Sequence, residues 1–158
     1  MRPIQRPQAP KQQRRNYSGK KKQHTRKHLA AVDETKRVIV LSKARSGKLH
    51  DQRFHEQDDI ASNVPDEIPI EVDLGFQGLE DQYENIHTPH KKPRGGELSE
   101  VQKQENRCLS QSRVICENAF AGVKRYNAVS VYRHRIVDFD DHLMLTAAGL
   151  WNFYLMAA

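Results

Sequence analysis

Two carboxylates in contrasting surroundings carry the chemistry legible in this chain. Asp73 ends the run Ile68-Pro69-Ile70-Glu71-Val72-Asp73 and leads into Leu74-Gly75-Phe76-Gln77-Gly78, so it reads as a carboxylate at the end of a buried strand. Glu117 follows Arg113-Val114-Ile115-Cys116 and precedes Lys124-Arg125, so it reads as a carboxylate on a long basic helix. Hard oxygen donors of this kind suit Mg2+ or Mn2+ and could hold such ions against a phosphodiester. Each also has a plainer reading, a strand-end cap for Asp73 and a solvated helix residue for Glu117.

Cations stand where a polyanion would need them. Lys91, Lys92 and Arg94 lie in Pro89-His90-Lys91-Lys92-Pro93-Arg94-Gly95-Gly96, a basic loop able to follow a DNA backbone or simply to be solvated. Lys124 falls two turns after Glu117 on nearly the same helical face, and Arg113 falls one turn before it. Lys20, Lys21 and Lys22, close to Tyr17, also fit nucleic-acid binding. His50-Asp51 reads as a helix cap, and Asp138, Asp140 and Asp141 read as a helix start rather than a metal cluster. Gly19-Lys20 and Gly47-Lys48 lack the spacing of a phosphate loop, and neither His nor Cys shows zinc-site spacing.

The elements that must position these residues follow from pattern. Residues 24–33 and 37–42 read as two strands joined by the turn Asp33-Glu34-Thr35-Lys36, an antiparallel hairpin. A helix is expected from Asp51 to about Asn63, with Phe54, Ile60 and Ala61 inward, closed by Pro65. Residues 68–73 form a third strand with its proline near the start, where a ladder bond is least missed. Residues 77–98 read as a basic, loop-rich insertion. Ser99 is placed to cap a helix running to about Tyr126, with Leu109, Cys116, Phe120 and Val123 on one buried face. A final apolar helix begins near Asp138–Asp141.

At 158 residues the chain fits one domain with its own core. The net charge of +6 is unevenly spread, since residues 1–28 carry ten Lys and Arg and no Asp or Glu. Residues 1–22 are therefore read as a basic leader and 23–158 as the folded domain. Residues 29–86 are net acidic and 87–135 basic again, a pattern that suits a polyanionic partner through counterion release. Cys108 and Cys116 lie eight residues apart on one expected helix, about 12 Å by helical rise, too far for a disulfide. Buried thiols in a reducing, cytoplasmic compartment are expected instead. The apolar run 143–156 is shorter than a membrane span and interrupted by Thr146 and Asn152, so it reads as a core helix.

The chain resembles the C-terminal part of a DDE-superfamily transposase, of the bacterial insertion-sequence group related to Harbinger-type enzymes. The matching segments run in the family's order. They include Pro3-Ile4-Gln5-Arg6-Pro7, Tyr17-Ser18-Gly19-Lys20-Lys21-Lys22-Gln23-His24-Thr25, Gly47-Lys48-Leu49-His50-Asp51, Asp73-Leu74-Gly75-Phe76-Gln77-Gly78 and Pro89-His90-Lys91-Lys92-Pro93-Arg94-Gly95-Gly96-Glu97-Leu98. Asn106-Arg107 through Lys124-Arg125 and Asp138-Phe139-Asp140-Asp141 through Leu150-Trp151 complete them.

The resemblance implies an RNase H-like α/β fold and a triad of two Asp and one Glu holding two Mg2+ or Mn2+ ions. It assigns the second Asp to Asp73 and the Glu to Glu117. It implies metal-dependent cleavage and strand transfer of DNA, with transposon ends and target DNA as partners, in the bacterial cytoplasm at the nucleoid. The family's first Asp precedes the Pro-Ile-Gln-Arg-Pro segment, and Met1 stands where a Glu three residues after it is usual. The expectation is a truncated domain missing its first central strand, inactive alone and prone to self-association. Alternatives are a non-catalytic nucleic-acid-binding remnant, a basic RNA-associated protein, or half of a split transposase completed by an upstream fragment.

Overall fold

The computed structural model describes residues 17–18, 23–46, 60–130 and 138–158. These residues combine short strands with two long helices, the α/β class expected. The chain divides into two compact units, Met1–Leu49 with Glu117–Ala158, and His50–Cys116.

The strands of the first unit are β1 (Tyr17–Ser18), β2 (Gln23–His24), β3 (Arg26–Lys27), β4 (Ala30–Val32), β5 (Val38–Leu41) and β6 (Arg45–Ser46). All pair antiparallel: β1 with β2, β3 with β6, and β4 with β5. The expected hairpin is thus present. Its turn is built by Asp33, whose Oδ1 accepts from the backbone N–H groups of Thr35 and Arg37, both at 2.9 Å. Lys36 adopts a left-handed φ of 69° there. Between the two ladders, Leu29 and Ser42 stay linked: the Leu29 N–H donates to Ser42 Oγ and the Ser42 N–H to the Leu29 carbonyl, each at 2.8 Å.

Two helices complete the description, α1 (Glu100–Lys124) and α2 (Phe139–Ala157). The C-terminal turns of α1, helix α2 and the hairpin enclose one core of Val38, Val123, Ala147, Ala148 and Trp151. Gly122 is fixed by that packing, because a Cβ there would lie 2.4 Å from the Trp151 ring. The Trp151 indole N–H donates to the Lys36 carbonyl at 2.8 Å, so the ring also ties the helix to the hairpin turn. Beside it, the Asn152 amide accepts from the Val38 N–H at 2.9 Å and donates to the Val38 carbonyl at 2.8 Å. That side chain satisfies both backbone groups of Val38 as a neighbouring strand would.

In the second unit β7 (Ile70–Glu71) runs parallel to β8 (Ile86–His87). Pro69 sits immediately before β7, at the strand start where its missing N–H is harmless. Ala61, Leu79 and Ile86 form the core, with Ile70, Val72, Phe76 and Tyr83 against them. The buried Asn85 is satisfied by donating to the Pro65 and Ile68 carbonyls at 3.3 and 3.0 Å. The expected helix from Asp51 lies outside the described residues up to position 59, and Ala61–Asn63 form a 3-10 turn.

Helix α1 starts as its sequence requires. The Gln102 N–H donates to Ser99 Oγ at 3.2 Å and the Ser99 N–H donates to Gln102 Oε1 at 3.0 Å, a reciprocal capping box. Val123 is buried and Leu109, Cys116 and Phe120 are half-buried. Cys108 corrects an expectation: it is exposed, not buried. The buried residues of α1 are Ala119, Gly122 and Val123, confined to its C-terminal turns, so helical phase alone does not bury a thiol near its start. Helix α2 buries only one face, leaving Phe153 69% and Met156 76% exposed. Among the described residues no helix is long and apolar enough to cross a membrane.

Candidate metal and nucleic-acid site

Asp73 is placed by the change from strand to turn. After β7 the Val72 N–H still donates to the His87 carbonyl at 3.1 Å, and Asp73, extended at φ −80° and ψ 163°, then opens the 3-10 turn Leu74–Phe76. Its carbonyl accepts from the Phe76 N–H at 2.9 Å, and its Oδ1 accepts from the Leu74 N–H at 2.8 Å. The side chain is exposed, and its other oxygen meets no protein donor among the described residues. A carboxylate with one oxygen fixed and one open, at the carboxyl end of a parallel strand, can ligate a cation without first breaking a bond.

Glu117 lies on the exposed side of α1, two residues before the fully buried Ala119. Burial of Ala119, Gly122 and Val123 fixes the rotation of this part of the helix. Lys124 ends α1 two turns further on, also exposed. Arg113 is exposed on the same helix. The next residue, Arg125, sets its guanidinium over Trp151 and Tyr154, 5.7 and 5.4 Å from their centroids.

The basic loop is built more firmly than its composition implies. The His90 N–H donates to Asn106 Oδ1 at 2.8 Å, Asn106 Nδ2 donates to the His90 carbonyl at 3.0 Å, and the His90 ring meets Glu105 at 2.6 Å. Three residues on, a turn begins at Pro93, whose carbonyl accepts from the Gly96 N–H at 3.3 Å, and its third residue, Gly95, has φ 76°. That positive φ is what a type II turn asks of a glycine. Lys91, Lys92 and Arg94 are all exposed.

A polar junction in the first unit went unread in the sequence. Arg26 meets Asp140 at 2.6 Å, while Asp141 Oδ1 accepts from the Ala44 N–H at 2.6 Å and lies 3.1 Å from His28 Nε2. Since a carboxylate only accepts, His28 carries its proton on Nε2. Burial lowers the His28 pKa, against the pull of Asp141. Burial likewise lifts that of Asp140, with Arg26 opposing. Asp138 precedes α2 and gives no side-chain cap; its carbonyl accepts from the His142 N–H at 3.1 Å. Asp140 and Asp141 thus lie in the first turn of α2, as their spacing suggested, but their side chains engage partners far away in sequence.

Asp73, Lys91, Lys92, Arg94 and Arg113 belong to the second unit, and Glu117 and Lys124 to the first. Lys20, Lys21 and Lys22 lie outside the described residues. Among the described residues no group of three or more His, Cys, Asp or Glu is placed to hold a metal ion. The Asn106 and His90 pairing was not anticipated, because the two residues lie 16 positions apart and no local pattern joins them.

A family model described as DDE superfamily endonuclease matches residues 2–152. A curated protein of Microchaete diplosiphon, the probable transposase for insertion sequence element IS702, is 31% identical over 157 residues. The match covers 97% of this chain and 54% of that relative, so the chain spans about half the relative's length. No solved structure matches the chain.

Proposed function

This chain belongs to the DDE superfamily of endonucleases, and on that premise we propose that it is an insertion-sequence transposase acting on DNA, with Asp73 and Glu117 as ligands of a catalytic Mg2+ or Mn2+ centre. The single observation that carries this reading is the carboxylate of Asp73, held at one oxygen by the Leu74 N–H and open at the other, at the end of β7. The donor set suits the ions, because carboxylate oxygens are hard donors and both residues are exposed. When bound, such ions polarise a phosphodiester and activate water or a DNA 3′-hydroxyl for attack.

The chain's own residues do the rest. The Leu74 N–H orients Asp73, and the packed turns around Ala119 and Val123 hold Glu117 at a fixed rotation of α1. Lys20, Lys21, Lys22, Lys91, Lys92, Arg94, Arg113 and Lys124 contact phosphates of transposon ends and target. The same reading takes the α/β fold as RNase H-like. Residues 23–158 then form the catalytic domain, 77–98 its basic insertion and 1–22 a basic leader, in a protein that works at the bacterial nucleoid.

Mn2+ titration followed by electron paramagnetic resonance tests the assignment. Asp73→Asn and Glu117→Gln are each expected to weaken Mn2+ binding at least about tenfold. Unchanged binding in both variants would overturn it.

A further inference from the structure

We propose that Asn106 is a positioning residue for DNA, holding residues 90–96 as a preformed phosphate-binding edge. The idea rests on the reading that Lys91, Lys92 and Arg94 contact DNA, and adds how they are presented. A flexible lysine-rich loop loses conformational freedom when it docks on a phosphate backbone, and that loss subtracts from affinity. Here the loop is constrained at both ends before any partner arrives. At one end the Asn106 amide takes both backbone groups of His90, as a strand neighbour would, at 2.8 and 3.0 Å. At the other, Pro93 and Gly96 close a turn whose left-handed position falls on Gly95, with Arg94 at its tip. Lys91 and Lys92 lie between these two anchors.

Charge supports the assignment. On α1, Glu105 is already engaged by the His90 ring at 2.6 Å, and Glu100 is engaged by Lys103 at 2.8 Å. Lys91, Lys92 and Arg94 are exposed and have no carboxylate partner among the described residues. Three unneutralised cations on a constrained edge fit a row of phosphates. They do not fit an apolar or a cationic partner. Contacts of this type fix the orientation of a duplex and carry no sequence information.

The test compares two variants of the full chain on a short duplex of arbitrary sequence, with affinity measured from about 50 to about 200 mM salt. Replacing Lys91, Lys92 and Arg94 together by Gln is expected to reduce the slope of log affinity against log salt by about 2–3. Asn106→Ala keeps every cation and favours helix, so α1 is retained, which circular dichroism verifies. It is expected to weaken binding about threefold to tenfold with the slope unchanged, while hydrogen exchange at the His90 amide accelerates. If the triple variant keeps its salt slope, the loop does not touch phosphate and the underlying reading fails. If the triple variant responds but Asn106→Ala binds as the parent does despite faster exchange at His90, positioning by Asn106 is overturned and the contact survives.

Discussion

A carboxylate proposed to serve a metal must be oriented and yet keep an oxygen open, and at Asp73 the Leu74 N–H fixes one oxygen and leaves the other open. Its candidacy came from the family resemblance, since an apolar strand ended by a carboxylate also fits a plain strand-end cap. Glu117 owes its candidacy to the same resemblance, because one acid within a basic, amphipathic run also fits a solvated helix residue. Gly122 gave no signal at all. Nothing in its neighbours reveals that the Trp151 ring lies where its side chain would be, 29 positions along the chain. Gly122→Ala would force the ring or the helix to move, and is expected to destabilise the protein by about 1–3 kcal/mol, read as a lower thermal midpoint. Nearby Gly149 meets nothing within 4 Å, so Gly149→Ala serves as the control and is expected to be neutral or stabilising.

At the scale of elements, local rules placed the hairpin, the start of α1 and the start of α2 close to where they lie. The capping box at Ser99 is the plainest case, since Ser followed three residues later by Gln is itself the signal. Ser99→Ala is expected to cost about 1 kcal/mol, seen as earlier unfolding in urea. Strand β8 was not anticipated, because two residues have no periodicity to detect and its pairing with β7 is set by the core around Leu79. Nor was the grip of α2 on β5, which depends on Asn152 reaching the backbone of Val38. Asn152→Ala leaves a part-buried N–H and carbonyl without their partner. A loss of about 1–3 kcal/mol is expected, with faster hydrogen exchange at the Val38 amide.

At the scale of the molecule, the charge pattern suggested a polyanionic partner, but the long-range polar contacts stayed hidden because they join residues more than a hundred positions apart. Arg26 with Asp140 and His28 with Asp141 are the examples. His28 gives them a measurable consequence. Its side chain is 8% exposed and its pKa is lowered from the ordinary 6.5, chiefly by burial. Below about pH 6.5 the unfolded chain takes up a proton that the folded chain resists, so this contribution favours unfolding as pH falls through that range. Denaturation midpoints are expected to drop from pH 7 toward pH 5.5, and His28→Gln should flatten that part of the curve; an equally steep curve in the variant would assign the titration elsewhere.

The claim that Asp73 and Glu117 hold a divalent metal is tested most directly by loading the protein with Fe2+ in place of Mg2+ and generating hydroxyl radicals with ascorbate and peroxide. Backbone scission concentrated around residues 73 and 117, suppressed by excess Mg2+ and lost in Asp73→Asn, is the outcome this account requires. Scission spread evenly along the chain, or centred on other carboxylates and indifferent to Asp73, would contradict it.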